Sequence, residues 1–299
     1  MNEGRGNRRH LLRGSSINLY YLPALILFAV FIVYPVIRGV ALSGTNWNGF
    51  SHNSNSVGLA NYKALLTDAN FVDALRNTFI YGVGSTLIQQ VLGLALAIGL
   101  DRAFKGRAFL RSVIYLPVLV SPVVMGTMYY LIFRYQGGAA NDVVGLWGDG
   151  PVAWLSNEWV AIAVIVFVNS LQFVGISMLI YLSGLQSVPQ ELYEASSLDG
   201  AGPWRQFRSV TVPMLIPAFT SSVTINLIGG LKLFDIISVL TGGGPGYSTN
   251  SISTLIGRTY FGSQQAGYAA AMGTTLFAII AVMTVITNLA FDKARERVQ

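Results

Sequence analysis

The sequence predicts an all-α membrane protein built on six transmembrane helices, and three observations carry that prediction. The chain of 299 residues is 53% hydrophobic and only 11% charged, with a mean hydropathy of +0.54, too apolar for a water-facing surface. Six apolar runs each supply the roughly 20 residues that a helix needs to cross the hydrocarbon core. Lysine and arginine collect in the loops on one side of those runs, as they do when charge sets membrane orientation.

The runs are residues 19–42, 77–100, 112–133, 159–182, 213–240 and 266–291. The first follows Arg5, Arg8, Arg9 and Arg13, in the manner of a signal peptide. It exceeds the roughly 7–15 residues of a signal h-region and no small-x-small site follows cleanly, so it reads as an uncleaved anchor. The expected organisation is a tail over residues 1–18, a six-helix domain over 19–291 and a second tail over 292–299. Arg5, Arg8, Arg9, Arg13, Arg102, Lys105, Arg107, Arg111, Arg205, Arg208, Lys293, Arg295 and Arg297 fall on one side, against Lys63, Arg76, Arg134 and Arg258 on the other. An even number of spans puts both termini in one compartment, and this excess makes it the cytoplasm. Arg38 and Lys232 fall inside spans.

The net charge of +6 is thus an orientation signal, and nucleic acid is not an expected partner. The absence of cysteine removes disulfides, thiolate metal sites and cysteine nucleophiles. His10 and His52, the only histidines, are far apart and suit neither a zinc site nor a histidine-based triad. No GxxxxGK[ST] occurs, so the chain has no P-loop ATPase site of its own. It reads as a non-enzyme with no cofactor.

Polar residues inside spans cost free energy in lipid unless they meet a partner or a wet cavity. They are Gln89 and Gln90 in span two, Asn169 and Gln172 in span four, and Asn226, Lys232 and Asp235 in span five. Asn169 and Gln172, three apart, share a helix face; interhelical hydrogen bonding and the lining of a substrate path both account for them. Lys232 and Asp235 either neutralise each other or face cargo. Span five is longer than a straight crossing requires, and Gly229 and Gly230 within it allow a tilt, a break or a close helix contact. With Gly230 and Leu233, these residues of spans four and five form the candidate path. Neutral amides suit a hydroxyl-rich solute better than an ion.

Residues 183–212 are too short for a domain and too patterned for a linker. Ser187 and Gln190 have capping-box spacing, and Pro189 fits the first turn of a helix running towards Asp199. Gly200 and Gly202 interrupt it, and Pro203 suits the start of a second short helix. There Trp204 and Phe207 make an apolar face opposite Arg205 and Arg208. The expected product is a helix-turn-helix on the cytoplasmic side, either packed at the membrane surface or offered to another protein.

Within it, the string EASSLDGAGPWRQFRSVTVPMLIP, residues 194–217, resembles the EAA loop of ABC importer permeases. That family's pattern is Glu-Ala-Ala, three residues, Gly, nine residues and an Ile-x-Leu-Pro ending. Glu194, Ala195, Gly200 and Pro213 stand in register, with Ser196, Val210 and Val212 as departures of similar size. Residues 57–78 and 233–249 are similar to the external connection and the span-five exit of carbohydrate permeases of the maltose, multiple-sugar and glycerol-phosphate type, first permease subunit. The run from Gly242 to Gly246 is by itself a turn-rich loop.

The resemblance implies the type I importer permease fold in a prokaryotic cytoplasmic (inner) membrane. It further implies that residues 183–212 dock on a nucleotide-binding subunit. Glu194 would meet a basic residue there, Ala195 would permit close approach and Gly200 would make the turn, with Leu198 and Asp199 on the same surface. The implied partners are a second homologous permease, two ATP-binding cassette subunits that hold ATP and Mg2+, an extracytoplasmic solute-binding protein and a carbohydrate. Cargo would cross the bilayer by alternating access, between the two permeases. The rival is an ion-coupled secondary transporter or channel using Lys232 and Asp235 as a relay, which would require more intramembrane acids and no docking loop. A membrane-embedded enzyme lacks any convergent acid, base or metal constellation.

Overall fold

The computed structural model describes residues 21–148 and 150–296. The tail expected over residues 1–18, the first two residues of the first span and the last three residues of the chain lie outside them. Helices joined by turns and loops make up the described residues, and the one β feature among them is an isolated bridge between Thr45 and Ser56. Four helices are each long and apolar enough to cross a membrane: α1 (Leu22–Ser43), α3 (Ala69–Asp101), α7 (Glu158–Gln186) and α13 (Ala266–Glu296). Two bent pairs bring the number to as many as six: α4 (Arg107–Leu119) with α5 (Pro122–Phe133), and α9 (Pro203–Met214) with α10 (Ile216–Leu231). Shorter helices join them: α2 (Ala60–Thr67), α6 (Ala139–Gly145), α8 (Gln190–Leu198), α11 (Asp235–Leu240) and α12 (Ile252–Gly257).

The third span, expected as one run, is bent, and the fifth bends at its start, ahead of the Gly229–Gly230 pair where the sequence allows a break; proline is the physical reason for both bends. α4 and α5 meet at 98°, where Val120 and Ser121 are extended just ahead of Pro122, because the residue before a proline avoids the helical region. α9 and α10 meet at 65° around Leu215, between Pro213 and Pro217. Two helices widen into a π turn shortly before a proline: Ala29–Val33 ahead of Pro35, and Phe207–Thr211 ahead of Pro213. A wider turn accommodates the missing donor and the bulk of the ring.

α7 is the central post. Its upstream half, with Ile162, Ile165 and Val168, packs with Tyr81 of α3 and with Ile236, Ile237 and Leu240 of α11. Its downstream half, with Tyr181, Leu182 and Leu185, packs with Ala97 of α3 and with Leu215 at the second bend. Glycines permit the closest approaches. A Cβ on Gly93 of α3 would lie 2.5 Å from the Cβ of Ser177, and one on Gly175 of α7 would lie 3.0 Å from the carbonyl oxygen of Ile114. α1, by contrast, buries only Ser43 and rests on α13.

Candidate functional site

The glycine pair of span five does not break the helix. Gly229 and Gly230 both belong to α10, which ends at Leu231; the break spans Lys232 to Phe234, before α11 begins at Asp235. A Cβ on Gly230 would lie 2.8 Å from Gly82 Cα and 3.0 Å from the Tyr81 carbonyl oxygen, so this glycine serves close helix contact, whereas Gly229 has open space. At the break, the carbonyl of Leu233 accepts from Ser251 Oγ at 2.7 Å, which satisfies an acceptor that the interrupted helix leaves free.

A groove of about 610 Å³ opens along this break, walled by α3, α7 and α10. Of the residues singled out for a substrate path, Asn169, Asn226, Gly230, Lys232, Leu233 and Asp235 line it. Gln172 does not. Its Nε2 donates to the carbonyl of Val120 at 3.0 Å, in the bend between α4 and α5, so this amide caps a broken helix instead of facing the groove. Lys232 and Asp235 are both exposed, and neither makes an ion pair with the other or with any other described residue. The walls also include Gln89, Phe173, Ile225 and Phe234. Phe173 follows Asn169 by one helical turn, a spacing that could have revealed it. No spacing signal points to Phe234, which comes from the break itself.

Beneath the groove the polar residues form a continuous buried chain. Asn226 donates to Ser177 Oγ at 2.6 Å, Ser177 and Ser222 share a bond of 3.0 Å, and Ser222 donates to Gln90 Oε1 at 2.8 Å. Tyr181 also donates to Gln90 Oε1. The chain ends on Tyr181, which packs against Phe219 with ring centroids 4.9 Å apart and against the Leu215 bend.

On the other side of that bend stands the helix-turn-helix. α8 ends with Gly200 N–H on the Ser197 carbonyl and Ala201 N–H on the Ser196 carbonyl, each at 3.0 Å. Gly200 adopts φ +75°. This is a Schellman stop, which wants a residue without Cβ at that position. Gln206 Nε2 donates to Ser197 Oγ at 2.8 Å, and the hydroxyls of Tyr193 and Thr211 meet at 3.0 Å, so α9 folds back on α8. The expected capping box is absent. Ser187 donates to the Gly184 carbonyl at 2.7 Å, and Pro189, extended at the N-cap, sits one place before the first turn. Glu194, Ala195, Leu198, Asp199 and Gly200 are all exposed. Leu198 is 90% exposed and Trp204 74%, an apolar edge on an otherwise polar hairpin.

Both features fall within the stretch that matches a family model. Residues 89–297 match the binding-protein-dependent transport system inner membrane component. The multiple sugar-binding transport system permease protein MsmF of Streptococcus mutans is 34% identical over 267 residues, 89% of this chain and 92% of that one. The trehalose/maltose transport system permease protein MalF of Thermococcus litoralis is 33% identical over 268 residues, 90% of each. A crystal structure of a bacterial ABC transporter involved in the import of the polysaccharide alginate contains a chain of the same fold. It has a TM-score of 0.81 at 22% identity, over 95% of this chain and 98% of that one. With the fold, the hairpin and most of the sequence accounted for together, the chain belongs to the family of binding-protein-dependent transport system inner membrane components.

Proposed function

We propose that this chain is the permease subunit of an ATP-driven importer that carries a carbohydrate across a prokaryotic inner membrane, working beside a second, homologous permease. The observation that carries the reading is the exposed hairpin of α8 and α9, in register with the EAA pattern, inside a chain whose relatives are sugar transport permeases. In this reading residues 19–291 make six spans, each bent pair counting as one, and residues 183–212 project into the cytoplasm with both termini. Of two nucleotide-binding subunits, which hold ATP and Mg2+, one grips this hairpin through Glu194, Ala195, Leu198, Asp199 and Gly200. A solute-binding protein delivers cargo on the other side. It is a role supported by the solved alginate transporter in complex with an oligosaccharide-bound periplasmic protein.

Closure of the nucleotide-binding subunits moves the hairpin, and Leu215, fully buried at the bend, carries the displacement into the packing of Tyr181 and Leu185. The groove residues Asn169, Asn226, Gly230, Lys232, Leu233 and Asp235 then change their access from one side to the other. Gln172 keeps the structural role described above. The test is Glu194→Lys in the assembled importer. Uptake should fall at least ~10-fold, the loss of about 1.4 kcal/mol of coupling, while the variant reaches the membrane at normal levels. Normal uptake by a well-expressed variant would refute the docking role of Glu194.

A further inference from the structure

Three carboxamides line the groove, and each spends its NH2 end on an acceptor within the protein. Gln89 donates from Nε2 to the backbone carbonyl of Asn169 at 3.1 Å. A carbonyl only accepts, so the orientation of the Gln89 amide is fixed and Oε1 is the end left over. That oxygen is buried without a hydrogen-bond partner, on a groove-lining side chain that is 1% exposed. Asn169 donates from Nδ2 to Ser85 Oγ at 2.9 Å. The hydroxyl hydrogen of Ser85 is already committed to the Tyr81 carbonyl, so Ser85 can meet Asn169 only as an acceptor and draws Nδ2 towards itself. Oδ1 of Asn169 is thereby turned from Ser85. Asn226 follows the same rule, with Nδ2 on Ser177 Oγ at 2.6 Å. Lys232 is the one cationic side chain in the lining.

We infer that this wall is an array of hydrogen-bond acceptors that selects cargo by the hydrogens of its hydroxyl groups, with Ser85 as the positioning residue that holds Asn169 in the accepting orientation. The inference rests on the carbohydrate-permease reading and sharpens it. A sugar hydroxyl donates and accepts, whereas a C–F bond in its place accepts weakly and donates nothing. Such an analogue leaves Gln89 Oε1 and Asn169 Oδ1 without the donor they would take from the sugar, which is how a polar site rejects a near-isostere that an apolar pocket would admit.

The test uses the whole importer in lipid vesicles, with its second permease, ATPase subunits and binding protein. Maltose, trehalose, raffinose and arabinotriose are offered, and the one carried fastest is compared with its singly deoxyfluorinated analogues. The binding protein's own preference is common to wild type and variant, so it cancels when their parent-to-analogue ratios are divided. Wild type should favour the parent over at least one analogue by about 10-fold or more. Ser85→Ala frees the Asn169 amide to turn over, and that ratio should fall about 5-fold or more. Gln89→Met keeps the volume, removes the acceptor and should lower the ratio for the analogue altered at its own contact, which serves even where Ser85→Ala does not insert. Uptake of parent and analogues reduced by one common factor in both variants would overturn the array while leaving the permease reading intact. If none of the four sugars is carried, the carbohydrate reading fails and the array with it.

Discussion

Gly229 and Gly230 are neighbours on α10 with opposite surroundings, and stability should separate them. A methyl on Gly230 meets backbone atoms of Gly82 and Tyr81, which cannot turn aside, whereas a methyl on Gly229 meets nothing within 4 Å. Gly230→Ala is expected to destabilise the bundle by ~1–3 kcal/mol. Gly229→Ala should be neutral or stabilising by up to ~1 kcal/mol, since it only restricts the unfolded chain and favours helix. Thermal unfolding in detergent distinguishes the two, and equal melting temperatures would contradict the close contact. At this scale the sequence was a partial guide. That Asn169 and Gln172 had to find partners followed from burying amides in lipid. Which of them lines the groove depended on where the carbonyl of Val120 came to rest, a fact of tertiary structure that helical spacing does not contain.

The hairpin of α8 and α9 was the element most open to reading in advance, because its signals are local. Gly200 and Pro203 each act through their own backbone, and the structure uses both as chemistry demands. Gly200→Val places a branched side chain at φ +75°, costing ~1–2 kcal/mol in backbone strain with no steric clash, since nothing lies within 4 Å. Stimulation of the importer's ATPase by loaded binding protein should drop several-fold, with little change in the yield of inserted permease. Leu198→Asp probes the apolar edge: at 90% exposure the side chain supports no packing within this chain. Its loss should leave the melting temperature alone and weaken copurification of the nucleotide-binding subunit by at least ~10-fold, or ~1.4 kcal/mol. The bent elements were less legible. A broken helix keeps the same hydropathy as a straight one, so residues 112–133 and 213–240 advertise length and apolarity but not the angle at Ser121 or Leu215. The prolines that cause those angles were visible; their effect depended on the neighbouring helices that receive the bend.

Across the whole molecule, helices are held with unequal strength. α7 is wrapped on several sides, while α1 leans on α13 and is fastened chiefly at one end, where the Gly267 N–H donates to the Trp47 carbonyl at 2.8 Å. A Cβ on Gly267 would collide with the Thr45 carbonyl. Gly267→Leu should therefore loosen α1 from the bundle without unfolding it, and limited proteolysis should cut the segment after Ser43 faster than in wild type. Unchanged cleavage would mean that lipid or a partner, not Gly267, holds α1 in place. The contact of Gly230 with Gly82 has a consequence at this same scale. Two backbones touching with no side chains between them leave no compressible layer, so the base of the groove behaves as an anvil. In the proposed pairing with a second permease, solutes of different girth would then be accommodated by yielding of the partner's facing wall, and that half would set how wide a molecule can pass.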